Sequence, residues 1–255
     1  MLHAARTGLK EWVRCTRHNV LHLRRFKVRY RGGEWFATDG DVSLRFNYYP
    51  YLAFHDVEGY FGDGRFVPGP GMTVLDVGGC AGEYALYAAM KVGPAGRVLM
   101  LEPDPKNVEL ARENFARNGN PSNLEIVPAG MWSTTGTLRF AAGRRDESTV
   151  VRDGDAAAGP TIEIKTYSLA GLAAERKLSR IDLVKMDIEG AEIEAIKGVA
   201  ELPGGVRPKF AIASYHVVDG ARTAETMERM FRDYGYETAT GNARHLTTWA
   251  WPKQG

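Results

Sequence analysis

Cysteine is nearly absent from this 255-residue chain, and its two thiols, Cys15 and Cys80, stand too far apart for a disulfide framework or a zinc site. Reduced thiols in a cytosol are the simplest reading. A chain of this length buries about three quarters of its unfolded surface and needs no such staples. Long apolar runs are missing too. None approaches the roughly 20 residues that span a bilayer, and the first residues lack the apolar stretch of a signal peptide. A cytoplasmic protein that is not exported is therefore expected. Acid is scarce in residues 1–31, where nine Lys/Arg face Glu11 alone; the remainder holds 24 basic and 30 acidic residues, net −6. That acidic remainder argues against a long nucleic-acid groove, so nucleic acid is not the expected partner. The basic arm is read first as a cap packed through Trp12, Val13, Leu21 and Leu23. Its alternative is contact with nucleic acid or, peripherally, with an anionic membrane surface.

What is present is an alternation. Residues 1–66 form a prelude: a short basic helix at 4–18, a hairpin from 26–31 and 34–37 around Arg31-Gly32-Gly33, and a stretch at 42–61 rich in aromatics, whose run 46–61 is read as a packed lid before a substrate stacking platform. The stretch "VPGPGM" at 67–72 ends it. From residue 73, strands at 73–77, 97–102, 124–128, 181–187 and 209–216 alternate with helices at 82–91, 105–118, 168–176, 190–199 and 222–234. Such alternation predicts βαβ units, a mostly parallel sheet and an α/β domain over 67–255. Asp104, Pro105 and Gly119 are suitable N-cap, first-turn and stop residues for the second helix. Residues 133–165 read as a hairpin-like insertion with a mobile loop near 142–160. Residues 236–240 and 244–251 read as a C-terminal antiparallel pair.

The turn "VLDVGGCAGEY" at 74–84 joins the first strand of the alternation to a helix, at the edge of the sheet where ligands bind. Glycine at 78 lets the chain turn and lets a ligand approach backbone; the free N–H groups of the helix start favour an anion. The G-x-G-x-x-G frame of dinucleotide binders is not met, because Cys80 or Ala81 falls where glycine is required. A carboxylate is then the better-matched anion. Glu102 closes the second strand, 20 residues past Gly82, where it can accept hydrogen bonds from both hydroxyls of a ribose. A ligand with a ribose, a flat base and an amino-acid end follows, and S-adenosylmethionine fits. The cofactor-binding candidates are Asp76, Gly78, Gly79, Ala81, Gly82, Glu102, Pro103, Asp104, Ala129, Gly130 and Glu58. Asp76 either meets the ligand's amino group or holds the loop, and Ala129 and Gly130 flank the base. The bland alternative is a tight turn and a surface acid.

The second distinctive stretch is "LVKMDIEGAEIEAI" at 183–196. A strand covered on both faces is normally apolar, yet Lys185 and Asp187 share one side of it, with Glu189 after them. Ser214 and His216 of the next strand are the expected facing partners. The catalytic candidates are Asp187, His216, Glu189 and Lys185. Either His216 or Asp187 serves as base, Lys185 neutralises Asp187, and Glu189 serves the site or merely favours a helix N-terminus. Asp187, Glu189 and His216 offer oxygen and nitrogen ligands, so a divalent cation such as Mg2+ is a further cofactor candidate that the spacing does not decide.

The blocks "DVGGCAGEY", "EPDPKN", "NLEIVPAG" and above all "KMDIEGAE" resemble the FkbM-type S-adenosylmethionine-dependent methyltransferases, over about residues 70–215. The resemblance implies a Rossmann-like, seven-stranded class I methyltransferase sheet, mostly parallel with an antiparallel C-terminal hairpin and here an N-terminal extension. It also implies O-methylation of a hydroxyl on a small molecule such as a sugar or natural product. The chain departs from the family at Ser214, where many relatives carry a glutamate two residues before the histidine. RNA or protein methylation is the nearer alternative, although the Asn-Pro-Pro-aromatic signature of base amino methylation is absent. A nucleotide-dependent oxidoreductase is the alternative from another class.

Overall fold

The computed structural model describes residues 10–11, 13–17, 19–20, 26–50, 55–142, 149–150, 161–203, 205–218, 220–242 and 245–253. Its centre is a seven-stranded sheet in the order β15-β16-β12-β11-β4-β5-β6. Those strands are β4 (Thr73–Val77), β5 (Arg97–Leu101), β6 (Leu124–Val127), β11 (Leu183–Met186), β12 (Lys209–Ala213), β15 (Tyr236–Gly241) and β16 (Thr247–Pro252). The first five run parallel; β16 is antiparallel to both β12 and β15. The expected α/β fold, with its antiparallel C-terminal pair, is present.

Side-chain alternation on these strands divides the interior into two cores. Val74, Val98, Met100, Leu183 and Ala211 pack on one face with α2 (Glu83–Val92) and α3 (Pro105–Arg117). Leu75, Val77, Leu99, Leu101, Val184 and Phe210 pack on the other with α4 (Leu169–Glu175), α5 (Glu192–Lys197) and α6 (Thr223–Asp233). The period-two pattern thus feeds both layers, as a covered parallel sheet requires. Asp104 N-caps α3 by accepting from the Lys106 amide at 2.9 Å, with Pro105 next to it.

The prelude departs from a hairpin. It is a three-stranded antiparallel sheet, β1 (Phe26–Arg31), β2 (Glu34–Asp39) and β3 (Val42–Phe46), followed by α1 (His55–Gly59). Its third strand begins the aromatic-rich stretch 42–61 and ends where the run read as a lid starts, and its apolar face joins the α2/α3 core. Both strand edges are closed by asparagine amides, which mimic a paired backbone. Asn114 of α3 and Asn118, which caps its end, each exchange two hydrogen bonds with β3, at Arg45 and Ser43, and Asn19 does the same with Val28 of β1. Residues 13–17 are helical as expected, but Val13 is half exposed and does not pack as a cap. Trp12, Leu21 and Leu23 lie outside the described residues.

The insertion builds a second sheet, β7-β10-β8-β9, from Gly130–Met131 (β7), Gly136–Ala141 (β8), Thr149–Val150 (β9) and Thr161–Tyr167 (β10). β8 and β10 form the expected hairpin; most of the loop 142–160 lies outside the described residues. Two strand ends need correction. β11 stops at Met186, so Asp187 belongs to the following turn. β12 stops at Ala213, so Ser214 and His216 do not share a strand face, and a short antiparallel pair, β13 (Val217–Val218) and β14 (Ala221–Arg222), follows. No helix among the described residues is long and apolar enough to cross a membrane.

Candidate active site

The strand order reverses between β4 and β11, and there the two following turns diverge to leave a crevice. An open cleft of about 680 Å3 occupies it. Its floor is Val77, Gly78, Cys80 and Leu101; Glu102, Pro103 and Asn107 form one side, Asp187, Ile188 and Glu189 the other. Ala129, Gly130 and Met131 reach it after β6, and Phe140, Val150 and Ile164 of the insertion sheet wall it. Apolar walls with few polar groups are the usual make-up of a small-molecule site.

Gly78 is required for a reason that the sequence reading missed. Its φ is +79°, and a Cβ there would lie 1.8 Å from the Asp187 carbonyl oxygen. The two halves of the crevice touch through that glycine, backbone against backbone. At Gly82, with φ +86°, a Cβ would meet the Phe115 ring at 2.5 Å. Cys80, read only as a reduced thiol, lines the cleft with φ +47°, a conformation uncommon for a residue with a side chain. Its amide is what holds Glu102. Glu102 Oε2 accepts from Cys80 N at 2.9 Å, and Oε1 accepts from Asp104 N at 2.9 Å and from Asn107 Nδ2 at 3.4 Å. Burial pushes its carboxyl up to about 7, against the pull of those donors.

Asp76 and Lys185 are cross-strand neighbours in the β4–β11 ladder. Lys185 Nζ sits 2.9 Å from Asp76 Oδ1 and donates to the Gly78 carbonyl at 2.8 Å. Asp76 is fully buried and does not line the cleft. Lys185, expected to neutralise Asp187, makes its direct ion pair with Asp76, with which it braces the turn, and acts on Asp187 through space. The Lys185 ammonium also lies 5.4 Å from the centre of the Tyr60 ring.

Asp187 is the centre of the other half. Oδ2 accepts from Tyr60 Oη at 2.8 Å and from Tyr215 Oη at 3.2 Å. His245 Nε2 stands 3.7 Å from Oδ2 and His216 Nε2 3.6 Å from Oδ1. Burial raises its carboxyl, but His245, Lys185 and His216 outweigh that and hold it at about 2. His216 has three acids around it: Glu192 at 3.0 Å, Glu189 at 3.4 Å and Asp187. Burial alone would lower the imidazole; the carboxylates raise it to about 10. Those carboxylates favour the protonated ring, so His216 is less suited to the role of general base than its place after β12 suggested. Ser214 is fully buried and donates to the Leu246 carbonyl at 3.1 Å, away from the cleft.

Of the named candidates, the cleft gathers Gly78, Glu102, Pro103, Ala129, Gly130, Asp187 and Glu189. Gly79, Ala81, Gly82 and Asp104 shape the turn and the α3 start without lining it, and Glu58 sits on an exposed position of α1. Missed were Asn107, Tyr60, Glu192, Tyr215 and His245. Glu192 had a signal, as the second acid of "EGAE"; Tyr215 and His245 had none that a linear pattern carries.

The model of the methyltransferase FkbM domain matches residues 76–238. Methyltransferase sdnD of Sordaria araneosa is 26% identical over 180 residues, 54% of this chain and 69% of that protein. The 2-O-methyltransferase NoeI of Sinorhizobium fredii is 30% identical, over 52% of this chain and 59% of that protein. The hexuronic acid methyltransferase AglP of Haloferax volcanii is 26% identical, over 54% and 58%. The chain thus spans well under the full length of each relative. Its sheet order, its cleft at the reversal point and the matched domain converge on one assignment: the chain belongs to the FkbM family of S-adenosylmethionine-dependent methyltransferases.

Proposed function

We propose that the chain methylates a hydroxyl oxygen of a small molecule, of the sugar or natural-product kind. The observation that carries this reading is the polarity of the cleft. One end offers apolar walls and the buried carboxylate of Glu102; the other ends in Asp187 and Glu189. The first end suits an adenosyl group, and the second suits an acceptor rich in hydroxyls. Two relatives named for 2-O-methylation and for hexuronic acid methylation support the choice of oxygen and of a sugar-like acceptor.

The residues present fit the cofactor. Glu102 keeps acceptor lone pairs beyond its two backbone donors, and desolvation makes hydroxyl donors welcome there. Leu101, Ala129 and Met131 offer a slot for the base, and the backbone at 78–80 faces the amino-acid end. Asp76, Gly79, Ala81, Gly82 and Asp104 hold these parts in place. Glu58 remains a proposal for the cofactor's amino group.

When bound, the cofactor supplies an electrophilic methyl on a sulfonium, and the C–S electron pair returns to sulfur as the new O–CH3 bond forms. The protein's part is alignment, which supplies roughly 7–11 kcal/mol in well-oriented reactions. Asp187, fixed by two tyrosine hydroxyls, orients the acceptor O–H. Glu189, on the same wall, takes its proton. The test is calorimetry with S-adenosylhomocysteine, followed by an acceptor screen of hexuronic acids, neutral sugars, RNA and peptides. Methyl transfer to a peptide or RNA alone would overturn the small-molecule reading; no binding of S-adenosylhomocysteine would overturn the site.

A further inference from the structure

Behind Asp187 lies a group of side chains that cofactor binding does not use. Glu192 is fully buried. Its Oε1 accepts from the Ile188 amide at 2.9 Å and stands 3.0 Å from His216 Nδ1, while its Oε2 has no hydrogen-bond partner. The His216 side chain is nine-tenths buried. Its ring nitrogens lie at ion-pair distance from three carboxylates, yet neither makes a well-directed hydrogen bond. Buried polar atoms are almost always partnered, so a buried carboxylate oxygen and two imidazole nitrogens left without directed partners call for one. The one nearby lysine on this strand, Lys185, is already engaged by Asp76 and the Gly78 carbonyl.

We infer that Asp187, Glu192 and His216 form a divalent-cation site in the wall of the cleft, suited to a transition cation such as Mn2+ or Co2+ more than to Mg2+. One ligand atom from each of the three lies within 4.8 Å of the others, a spread that a single ion can gather with small side-chain shifts. The donor set is two carboxylates and one imidazole. Imidazole suits first-row transition ions, whereas Mg2+ demands oxygen and keeps its waters. Three protein ligands leave coordination positions open, and Asp187 puts them beside the cleft. Glu189 adds a further carboxylate 3.4 Å from His216. An ion here would bind the acceptor oxygen and ease loss of its proton. That role rests on the methyl-transfer reading; the site itself does not. It also narrows the acceptor, because open positions favour a hydroxyl beside a second oxygen, as in a vicinal diol or a hydroxy acid.

The experiment titrates the chelator-stripped full chain with Co2+, and separately with Mg2+, by calorimetry and visible absorption. S-adenosylhomocysteine affinity is measured on the same samples. One Co2+ per chain is expected, with ligand-field bands and at least tenfold tighter binding than Mg2+. Glu192→Gln should weaken Co2+ by at least tenfold, since loss of even an outer partner of a ligand typically costs about tenfold or more, and leave S-adenosylhomocysteine affinity within about threefold. His216→Gln should remove the bands, and it carries the comparison if Glu192→Gln does not fold. A wild-type chain that binds S-adenosylhomocysteine but takes up no Co2+ overturns the cation site and spares the methyl-transfer reading. Co2+ uptake without S-adenosylhomocysteine binding does the reverse. Uptake equal in wild type and both variants puts the ion elsewhere and overturns the inference.

Discussion

On the β4–β5 side of the reversal point, the polar contacts of the cleft come from one stretch of chain, residues 77–107, through backbone amides and a single carboxylate, with apolar walls added by residues 129–131 and the insertion sheet. On the β11–β12 side its polar wall is Asp187 and Glu189, and the side chains that hold Asp187 arrive from far apart: Tyr60 after α1, Tyr215 and His216 after β12, and His245 before β16. A backbone cradle recognises what every member of a chemistry shares, here the cofactor. A ring of side chains from several loops can change one member at a time, which suits the variable partner, the acceptor. The two halves meet at Gly78, where they share a wall only one backbone thick.

That meeting point is where the largest effect is expected. In Gly78→Ala the new Cβ has nowhere to go, because the atom it strikes is the Asp187 carbonyl oxygen on a buried turn rather than a side-chain tip. Overpacking and left-handed strain together should cost about 4 kcal/mol or more. Urea unfolding should show that loss, and calorimetry should show no binding of S-adenosylhomocysteine. Tolerance of alanine within about 1 kcal/mol would mean the halves are not locked together. Asp187→Asn should separate them instead. It keeps the shape of the acceptor half while removing its charge, so turnover should fall by about 100-fold or more, with cofactor affinity unchanged within about threefold. A collapse of affinity would erase the division.

A third test uses pH and touches only the cofactor half. The Glu102 carboxyl stands at about 7 in the free chain, above its ordinary 4.5. A group raised in this way favours the folded state when protonated. That contribution is fully present below about 4.5 and is lost as pH rises to about 7, a swing on the order of 3 kcal/mol. Ribose hydroxyls, by contrast, need the ionised form as acceptor. S-adenosylhomocysteine affinity should therefore weaken as pH falls from 8 to 6, by up to about tenfold for one linked proton. In Glu102→Gln the profile should be flat and the affinity low throughout. A wild-type profile equally flat would remove Glu102 from the ribose.

The same contrast explains what was legible in the sequence. The turn after β4, the acid that closes β5 and the cap of α3 are local patterns, each written within a few residues, and each was read. The ion pair of Lys185 was misassigned because its partner is set by sheet order. Asp76 is its register neighbour across the β4–β11 ladder, a relation that alternation within one strand cannot reveal. His216 was placed on a strand face because "KFAIASYH" alternates to its end, yet the Ser214 amide and hydroxyl both turn to the Leu246 carbonyl and the ladder stops. The third strand of the prelude was hidden because "VSLRF" has no partner strand beyond it. Its free edge is satisfied by the Asn114 and Asn118 amides in and at the end of α3, far along the chain. Asn114 also donates to the Ala81 carbonyl at 2.9 Å, so the prelude steadies the cofactor turn through one side chain.

The smallest expected effect gives the finest test, at Tyr60. Its ring is buried, packed edge-on against Tyr84 at 5.9 Å and His245 at 4.8 Å, and it faces the Lys185 ammonium. Tyr60→Phe keeps all of that packing and removes only the hydroxyl. Asp187 then loses its shortest donor and keeps Tyr215. A single hydrogen bond to a charged group is worth about 1.5–3 kcal/mol, and less when a second donor remains. Turnover should therefore fall by about five- to tenfold, with S-adenosylhomocysteine affinity unmoved. Because Lys185 connects Asp76 to the Tyr60 ring, the opposite result is also physically available: affinity would drop while turnover held. Tyr60 would then belong to the brace behind the cofactor turn, and the boundary between the two halves would lie on the acceptor side of its ring.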